Sequence, residues 1–129
     1  MILVDSSVWI DYFNGTETLA TKKLDGLLGV QPVCTGDLIL AEVLQGFRRD
    51  DDYQAAKTLL CALPVHAMLG SVISLRSAEN FRKLRKQGIT IRKTIDTMIA
   101  TYCIENELPL LHSDKDFQPF QQRLELMIV

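Results

Sequence analysis

The sequence contains few cysteines and no long hydrophobic run, and each shortage excludes a class of protein. The cysteines are odd in number and have no paired spacing, which predicts buried free thiols in a cytoplasmic protein rather than a disulfide framework or a zinc site. They are Cys34, Cys61 and Cys103. The uncharged stretch of residues 63–75 is too short to cross a bilayer. Asp5 and Asp11 interrupt the apolar N-terminus, which has no basic segment, so we expect neither a signal peptide nor a membrane span there.

An excess of positive charge is also missing. The formal net charge is −2 and the pI is about 5.6, whereas a domain that binds nucleic acid is typically basic. The sum hides a local asymmetry, because no acidic residue lies between Glu79 and Asp96. This interval, here called the basic segment, contains Arg82, Lys83, Arg85, Lys86, Arg92 and Lys93. It is either a solvated helix face or a surface that binds a polyanion.

The length of the chain sets its domain organisation. A chain of 129 residues fits one domain, here residues 1–129, and we find no repeat, linker or low-complexity segment. A domain of this size buries about two thirds of its unfolded surface, so it can fold without a disulfide or a structural metal. We therefore expect any bound metal to be functional.

Short apolar runs alternate with helical patterns along the chain. The expected strands are residues 2–4, 32–34, 63–67, 108–111 and 126–129. Helices are expected after an N-cap at Ser6 or Ser7, over 16–28, from Thr35, after 50–52, over 77–87 and from Thr94. This alternation predicts an α/β domain whose parallel sheet is covered on both faces.

Four acidic side chains stand at unusual positions. Asp5 directly follows the first strand, and Asp114 comes just after the strand at 108–111. Ligands of open parallel sheets bind beyond the carboxyl ends of the strands, so these two acids should meet if their strands are neighbours. Glu42 and Asp96 lie instead among apolar helix residues, where an uncompensated carboxylate is costly.

Taken together the four acids favour a metal site, although each alone has an ordinary structural explanation. A single acid is usually solvated; Asp5 can cap its helix, and Asp96 can favour the positive end of its helix dipole. Crowded carboxylates raise one another's pKa unless a cation neutralises them. Oxygen ligands suit Mg²⁺ or Mn²⁺, ions that position a phosphodiester, stabilise charge on its oxygens and activate water. The basic segment would then hold the rest of the polyanion.

Three segments of the sequence resemble a known family. In order along the chain they are MILVDSSVWIDYF, TGDLILAEVLQG and TIRKTIDTMIATYCIENELPLLHSDKDF. They are similar to the PIN domain and, more narrowly, to the VapC-type ribonuclease toxins of toxin–antitoxin pairs. The resemblance implies a three-layer α/β/α fold with a parallel sheet of order 3-2-1-4-5. That order places the strand before Asp5 beside the strand before Asp114.

The resemblance also implies the residues of the site. The four family acids correspond to Asp5, Glu42, Asp96 and Asp114. Ser7 corresponds to a small hydroxyl residue that hydrogen-bonds within the acid cluster or orients water. Asp116 is a fifth acid that ligates beside Asp114 or in its place. The RNA contacts expected in the basic segment are Arg82, Arg85, Lys86, Arg92 and Lys93.

The activity implied by the resemblance is hydrolysis of RNA, often tRNA, with Mg²⁺ or Mn²⁺ as cofactor. The products would carry a 5′-phosphate and a 3′-hydroxyl. A cognate antitoxin whose tail covers the site would inhibit the enzyme, which would be a cytoplasmic homodimer with no membrane association.

Other functions were weighed on the same residues. Haloacid-dehalogenase phosphatases also begin with an acid-tipped strand, but they need a second acid two positions later, where this chain has Ser7. A phosphoryl receiver domain needs an acid doublet in the first loop and a phospho-accepting Asp at the third strand, and we find neither. A non-catalytic PIN module that only binds RNA or protein would have lost one of the acids, and all four are present.

Aromatic and histidine side chains near the acids have a structural interpretation. Trp9, Tyr12 and Phe13 recur at helical spacing, which predicts core packing rather than a stacking surface for bases. His112 is expected to be a packed strand-end side chain rather than a general base.

Overall fold

Four short strands and seven helices alternate along the chain in the computed structural model, which describes residues 1–129. The strands are β1 (Ile2–Val4), β2 (Val33–Gly36), β3 (Val65–His66) and β4 (Leu110–Leu111). The helices are α1 (Ser6–Phe13), α2 (Leu19–Leu27), α3 (Asp37–Leu44), α4 (Asp50–Cys61), α5 (Ser71–Lys86), α6 (Thr94–Glu105) and α7 (Gln118–Leu124). A 3-10 turn at Lys115–Phe117 leads directly into α7.

The strands form one parallel sheet of order β3-β2-β1-β4. Leu3 of β1 lies between Cys34 of β2 and Leu110 of β4. The C-terminal segment reaches the fifth position only through a single parallel bridge from Ile128 to Leu110. The expected order is therefore confirmed for its first four strands, whereas the strand expected at 126–129 is reduced to one bridge.

Strands β1 and β4 are buried on both faces. Leu3, Val4 and Leu110 have no exposed surface. An uninterrupted apolar strand of this kind is typical of a parallel sheet that is covered by helices on both sides. The apolar runs in the sequence were thus a reliable guide to β1 and β4.

The connections between strands place the helices on the two sides of the sheet. From β1 through β2 to β3 the chain moves toward one edge, and from β3 it returns past both strands to reach β4. Right-handed crossovers put the helices of these two directions on opposite faces. In agreement, α1 contacts α2 and α3, whereas α5 contacts α6 and α7. The expected α/β fold, a parallel sheet between two helical layers, is confirmed.

The direction in which successive strands are added to the sheet reverses at β1, although β1 and β4 are parallel. The connection that leaves β1 goes to β2, and β4 arrives on the other side of β1. Such a switch point opens a crevice beyond the carboxyl ends of the two strands. Asp5 follows β1 and Asp114 follows β4, so both acids are delivered to this crevice.

Helices α1 and α3 begin elsewhere than at the expected caps. The N-cap of α1 is Asp5 rather than Ser6 or Ser7, because the Asp5 carboxylate accepts the Ser7 backbone N–H. Helix α3 begins at Asp37 rather than at Thr35. Thr35 is a fully buried residue of β2, and its N–H donates to the Pro64 carbonyl at 2.9 Å, so it belongs to the sheet.

Helix α5 begins six positions earlier than the expected range of 77–87, at Ser71. Its first turns carry Val72 and Leu75, whose side chains are exposed. No apolar stripe therefore marks the start of the helix in the sequence. Gly70, at φ +103°, is the left-handed residue that redirects the chain into it.

Two cysteines are buried as expected, but Cys61, at the end of α4, is exposed. All three thiols are free. No helix of the structure has the length and apolar character that crossing a membrane requires.

Candidate active site

Asp5 is the first acid of the site and is almost completely buried at the start of α1. Its Oδ2 accepts hydrogen bonds from the Ser7 backbone N–H at 3.1 Å and from Ser7 Oγ at 2.6 Å. Burial raises the pKa of Asp5 above its usual value, although these bonds from Ser7 act to lower it. Asp5 Oδ1 is buried with no hydrogen-bond partner. This oxygen is therefore an acceptor available to a ligand.

The Ser7 hydroxyl links the ends of β1 and β4. It donates to Asp5 Oδ2 and accepts the Ser113 backbone N–H at 3.3 Å. A hydroxyl carries one donor and two acceptor positions, so it can serve both neighbours at once. The hydrogen bond expected for Ser7 within the acid cluster is present, and the contact with Ser113 adds an attachment for the loop after β4.

Asp96 lies in the first turn of α6 and is only 3% exposed. Its Oδ2 has no hydrogen-bond partner. Burial raises the pKa of Asp96 to about 7, and the negative charge of Asp5 is the next cause of the shift. Lys93 acts in the opposite direction, but not enough to offset the burial. A nearby cation would therefore stabilise the ionised form of this buried carboxylate more than that of an exposed one.

Asp114 and Asp116 come from the 3-10 turn after β4. Asp114 is the N-cap of this turn, where its Oδ1 accepts the Asp116 backbone N–H at 2.9 Å. One carboxylate oxygen from each of these residues and one from Asp96 lie within 4.8 Å of one another. Asp114 and Asp116, rather than only one of them, therefore lie close to Asp96.

Glu42 approaches the cluster from α3 and is half-buried. The Ser6 hydroxyl, itself buried, donates to Glu42 Oε1 at 2.6 Å. The charge of Glu42 also contributes to the raised pKa of Asp96, as its last and smallest cause. The sequence indicated Ser6 only as a possible helix cap and gave no sign of this contact, because the two residues are 36 positions apart.

Two members of the basic segment are bound to the acids. Arg92 donates from Nη2 to Asp116 at 3.1 and 3.3 Å, and Lys93 Nζ lies 3.6 Å from Asp114 Oδ2. The charge of Asp96 is the main cause that raises the pKa of Lys93. The basic segment is thus divided: this pair offsets part of the negative charge of the cluster, whereas Arg82, Arg85 and Lys86 are exposed on α5 and make no ion pair.

The donor set fits a hard divalent cation. Every candidate ligand atom is a carboxylate oxygen, which is the chemistry that Mg²⁺ and Mn²⁺ prefer. Two of these oxygens, on Asp5 and Asp96, are buried and unpaired, and an unpaired buried acceptor is costly unless a ligand satisfies it. The two positive side chains at the cluster provide partial compensation without reaching either oxygen by a hydrogen bond.

The histidine and the aromatic residues are packing groups in the structure. The His112 ring centre lies 5.0 Å from that of Phe117, and burial lowers the pKa of His112. Trp9 is fully buried and stacks on Phe13 with ring centres 5.8 Å apart. These placements agree with the structural interpretation made from the sequence.

Comparison with known families identifies the class to which this arrangement belongs. The family model for the PIN domain matches residues 2–121, which is nearly the whole chain. The chain belongs to the PIN domain family. The resemblance seen in the sequence is therefore confirmed, and the haloacid-dehalogenase alternative is set aside.

The proteins to which the chain is similar include VapC ribonucleases. The VapC ribonuclease Mb1587 of Mycobacterium bovis is 30% identical over 120 residues, which cover 91% of this chain and 89% of the relative. The structure of VapBC2 from Rickettsia felis with a DNA fragment from its promoter superposes with a TM-score of 0.78 at 17% identity, covering 100% of this chain and 98% of that one. A toxin–antitoxin complex from Klebsiella pneumoniae gives a TM-score of 0.74 at 18% identity, covering 100% and 96%. At these identities the solved structures support the fold.

Proposed function

We propose that this protein is a metal-dependent endoribonuclease, a single domain over residues 1–129, that acts in the cytoplasm as the toxin of a toxin–antitoxin pair. The observation that carries the proposal is the grouping of carboxylate oxygens of Asp96, Asp114 and Asp116 within 4.8 Å of one another in a PIN domain. Asp5, whose negative charge acts on Asp96, and Asp96 itself each have a buried carboxylate oxygen left unpaired. The Mycobacterium bovis relative is a VapC ribonuclease, which favours RNA as the substrate.

We infer Mg²⁺ or Mn²⁺ as the cofactor. Asp5, Asp96 and Asp114 would hold the ion, with Asp116 beside Asp114 and Glu42 at the edge of the site. When bound, the ion supplies a Lewis acid for a phosphodiester oxygen and offsets the negative charge of the cluster. Ser7 contributes by fixing the orientation of the Asp5 carboxylate through its 2.6 Å hydrogen bond.

The reaction is hydrolysis of a phosphodiester. Water attacks phosphorus, the bond from phosphorus to the 3′ oxygen breaks, and the products carry a 5′-phosphate and a 3′-hydroxyl. Ser6 holds Glu42 Oε1, which leaves Oε2 as the atom that accepts the proton of the attacking water. The departing 3′ oxygen takes a proton from solvent.

Positive side chains would bind the substrate at two places. Arg92 and Lys93 are the positive charges that pair with the acids, and they would be available to phosphate oxygens if a cation were bound to Asp114 and Asp116. Arg82, Arg85 and Lys86 on α5 would hold the RNA further from the cut.

The partners follow from the same assignment. A cognate antitoxin would inhibit the enzyme, as the toxin–antitoxin assemblies among the solved relatives suggest. We also expect a homodimer. A tRNA is one RNA that fits, because its loops present unpaired nucleotides.

An RNA cleavage assay with the purified full chain tests the proposal. Cleavage should require Mg²⁺ or Mn²⁺, stop with a chelator and resume when metal is added in excess. The product ends should be 5′-phosphate and 3′-hydroxyl, which end-specific labelling distinguishes from a 2′,3′-cyclic phosphate. Cleavage that continues in chelator, or cyclic-phosphate ends, would show a different mechanism.

A further inference from the structure

A groove of about 450 Å³ runs between α5 and α6, outside the acid cluster. Its volume lies in the range of about 300–1,000 Å³ that small-ligand sites occupy. Phe81, Arg82 and Arg85 of α5 form one side, and Thr94 and Thr97 of α6 form part of the other. None of these side chains belongs to the carboxylate site described above.

The charge of this groove separates it from the other cavities. The structure has five cavities; three contain at least one acidic residue, and a fourth has no charged residue. The groove between α5 and α6 contains Arg82 and Arg85 and no acid. Neither guanidinium is within ion-pair distance of a carboxylate. It is therefore the cavity suited to an anion.

The groove also offers surfaces that match a nucleoside. The Arg85 guanidinium carbon lies 5.7 Å from the centre of the Phe81 ring, so the two planar groups border the groove together. Bases in unpaired RNA stack on aromatic rings and on guanidinium planes. Ser77 and Thr97 line the groove, and their hydroxyl oxygens are buried with no hydrogen-bond partner. Such hydroxyls can turn toward the polar edge of a ligand.

The groove adjoins the acid cluster through the first turn of α6. Thr97 directly follows Asp96, and Thr94 directly follows Lys93. The N-terminal end of a helix attracts phosphate through its free N–H groups and its dipole. An RNA strand that crosses the first turn of α6 would therefore contact the carboxylates on one side and the groove on the other.

We propose that this groove binds one unpaired nucleotide of the RNA substrate outside the scissile position, with Arg82 and Arg85 on the two phosphates that flank the nucleotide and Phe81 against the base. The proposal rests on the ribonuclease function proposed above. Arg82 and Arg85 are thereby assigned to a defined subsite. Lys86, which is outside the groove, remains a general surface charge.

Binding of a labelled oligouridylate to the full chain in chelator tests the subsite, because no cleavage interferes. The double variant Arg82→Gln, Arg85→Gln is compared with Arg76→Gln, Lys83→Gln, which removes two charges from the same helix outside the groove. We expect the groove variant to lower the slope of log affinity against log salt by roughly 1.4, about 0.7 for each lost contact. Its affinity at about 0.1 M salt should fall roughly 10- to 30-fold. The control should change much less.

Phe81→Leu provides a second measurement, since it keeps an apolar side chain at a partly buried position. It should weaken binding without changing the salt slope. Equal losses in the two double variants would overturn the subsite. Cleavage of the same RNA by the wild type with Mn²⁺, measured in parallel, reports the proposed function separately. If the wild type cleaves and the two double variants lose affinity equally, only the subsite proposal is rejected. If the groove variant alone loses affinity and the wild type does not cleave, the subsite proposal is supported and the nuclease proposal is rejected.

Discussion

The guanidinium of Arg92 donates to both carboxylate oxygens of Asp116, at 3.1 and 3.3 Å from a single nitrogen. Arg92 is mostly exposed, whereas the side chain of Asp116 is 13% exposed at the edge of the acid cluster. An ion pair of this kind is worth up to about 1 kcal/mol. Arg92 therefore occupies, at modest strength, the oxygens with which Asp116 would bind a cation.

Replacing Arg92 with Gln should raise the affinity for Mn²⁺ by up to about fivefold, because a competitor worth up to about 1 kcal/mol is removed. Calorimetric titration of Mn²⁺ into the chelator-treated protein measures the change. Arg49→Gln is the matched control, since Arg49 pairs with Asp52 away from the site. If both variants bind Mn²⁺ like the wild type, Asp116 is not a ligand; a fall in Arg92→Gln alone would mean that Arg92 orients Asp116.

Removing the hydroxyl of Ser7 should change the titration of Asp5. The bond from Ser7 Oγ lowers the pKa of Asp5, so Ser7→Ala should raise that pKa and move the acidic limb of the pH–rate profile to higher pH. The variant should also lose about 1–2 kcal/mol of unfolding free energy. Ser113→Ala is the control, because Ser113 uses only its backbone N–H. An acidic limb at the same pH in both variants would contradict the role given to Ser7.

The raised pKa of Asp96 makes the stability of the metal-free protein depend on pH. The folded state holds this proton up to about pH 7, whereas the ordinary pKa is 3.8. The associated stability is complete below the ordinary pKa and is lost as pH rises through about 7. Asp96→Asn removes this dependence, so in chelator it should melt above the wild type at high pH. The gain should be roughly 3–5 °C for each kcal/mol recovered.

Melting curves of both proteins across that pH range, all in chelator, measure this difference. The gap should widen as pH rises and close in acid. A variant that melts below the wild type at every pH would make Asp96 a structural acid of the α6 terminus. Asp96 would then not belong to the carboxylate cluster that binds the metal.

Metal should stabilise the wild type far more than the same variant. At a hundredfold excess over its Kd, one bound ion adds about 2.7 kcal/mol to the unfolding free energy. Asp96→Asn, short of one ligand, should gain much less in a melting series with increasing Mn²⁺. Glu105→Gln, which removes an exposed acid from the other end of α6, should behave like the wild type. An equal response in Asp96→Asn would exclude Asp96 from the metal site.

The sequence predicted the framework of the site because local patterns determine it. The apolar run before Asp5 identifies a buried strand, and the apolar surroundings of Asp96 show a carboxylate out of place. The neighbouring positions of β1 and β4 came from the family resemblance rather than from either strand alone. These features together position the acids at one sheet edge.

Contacts between distant residues could not be predicted in the same way. Ser6 and Glu42 are brought together by packing of α1 on α3, and no local pattern couples them. Arg92 looked like a free phosphate ligand because it lies in the interval between Glu79 and Asp96 that contains no acid, yet its partner Asp116 comes from beyond β4. Thr35 was predicted to start a helix because no local pattern shows that it pairs with the segment at Pro64. That pairing depends on how the sheet assembles.

Asp5→Asn is the variant that tests the central claim most directly. Asparagine keeps the shape and the helix-capping ability of Asp5 while removing the charge that would bind the cation. With Mn²⁺ present, its rate of RNA cleavage should fall roughly a hundredfold or more, because charge stabilisation worth several kcal/mol is lost. Asp25→Asn, a change at an exposed acid of α2, should retain the wild-type rate. If Asp5→Asn is folded and cleaves RNA at the wild-type rate with the same sensitivity to chelator, the carboxylate cluster is not the active site.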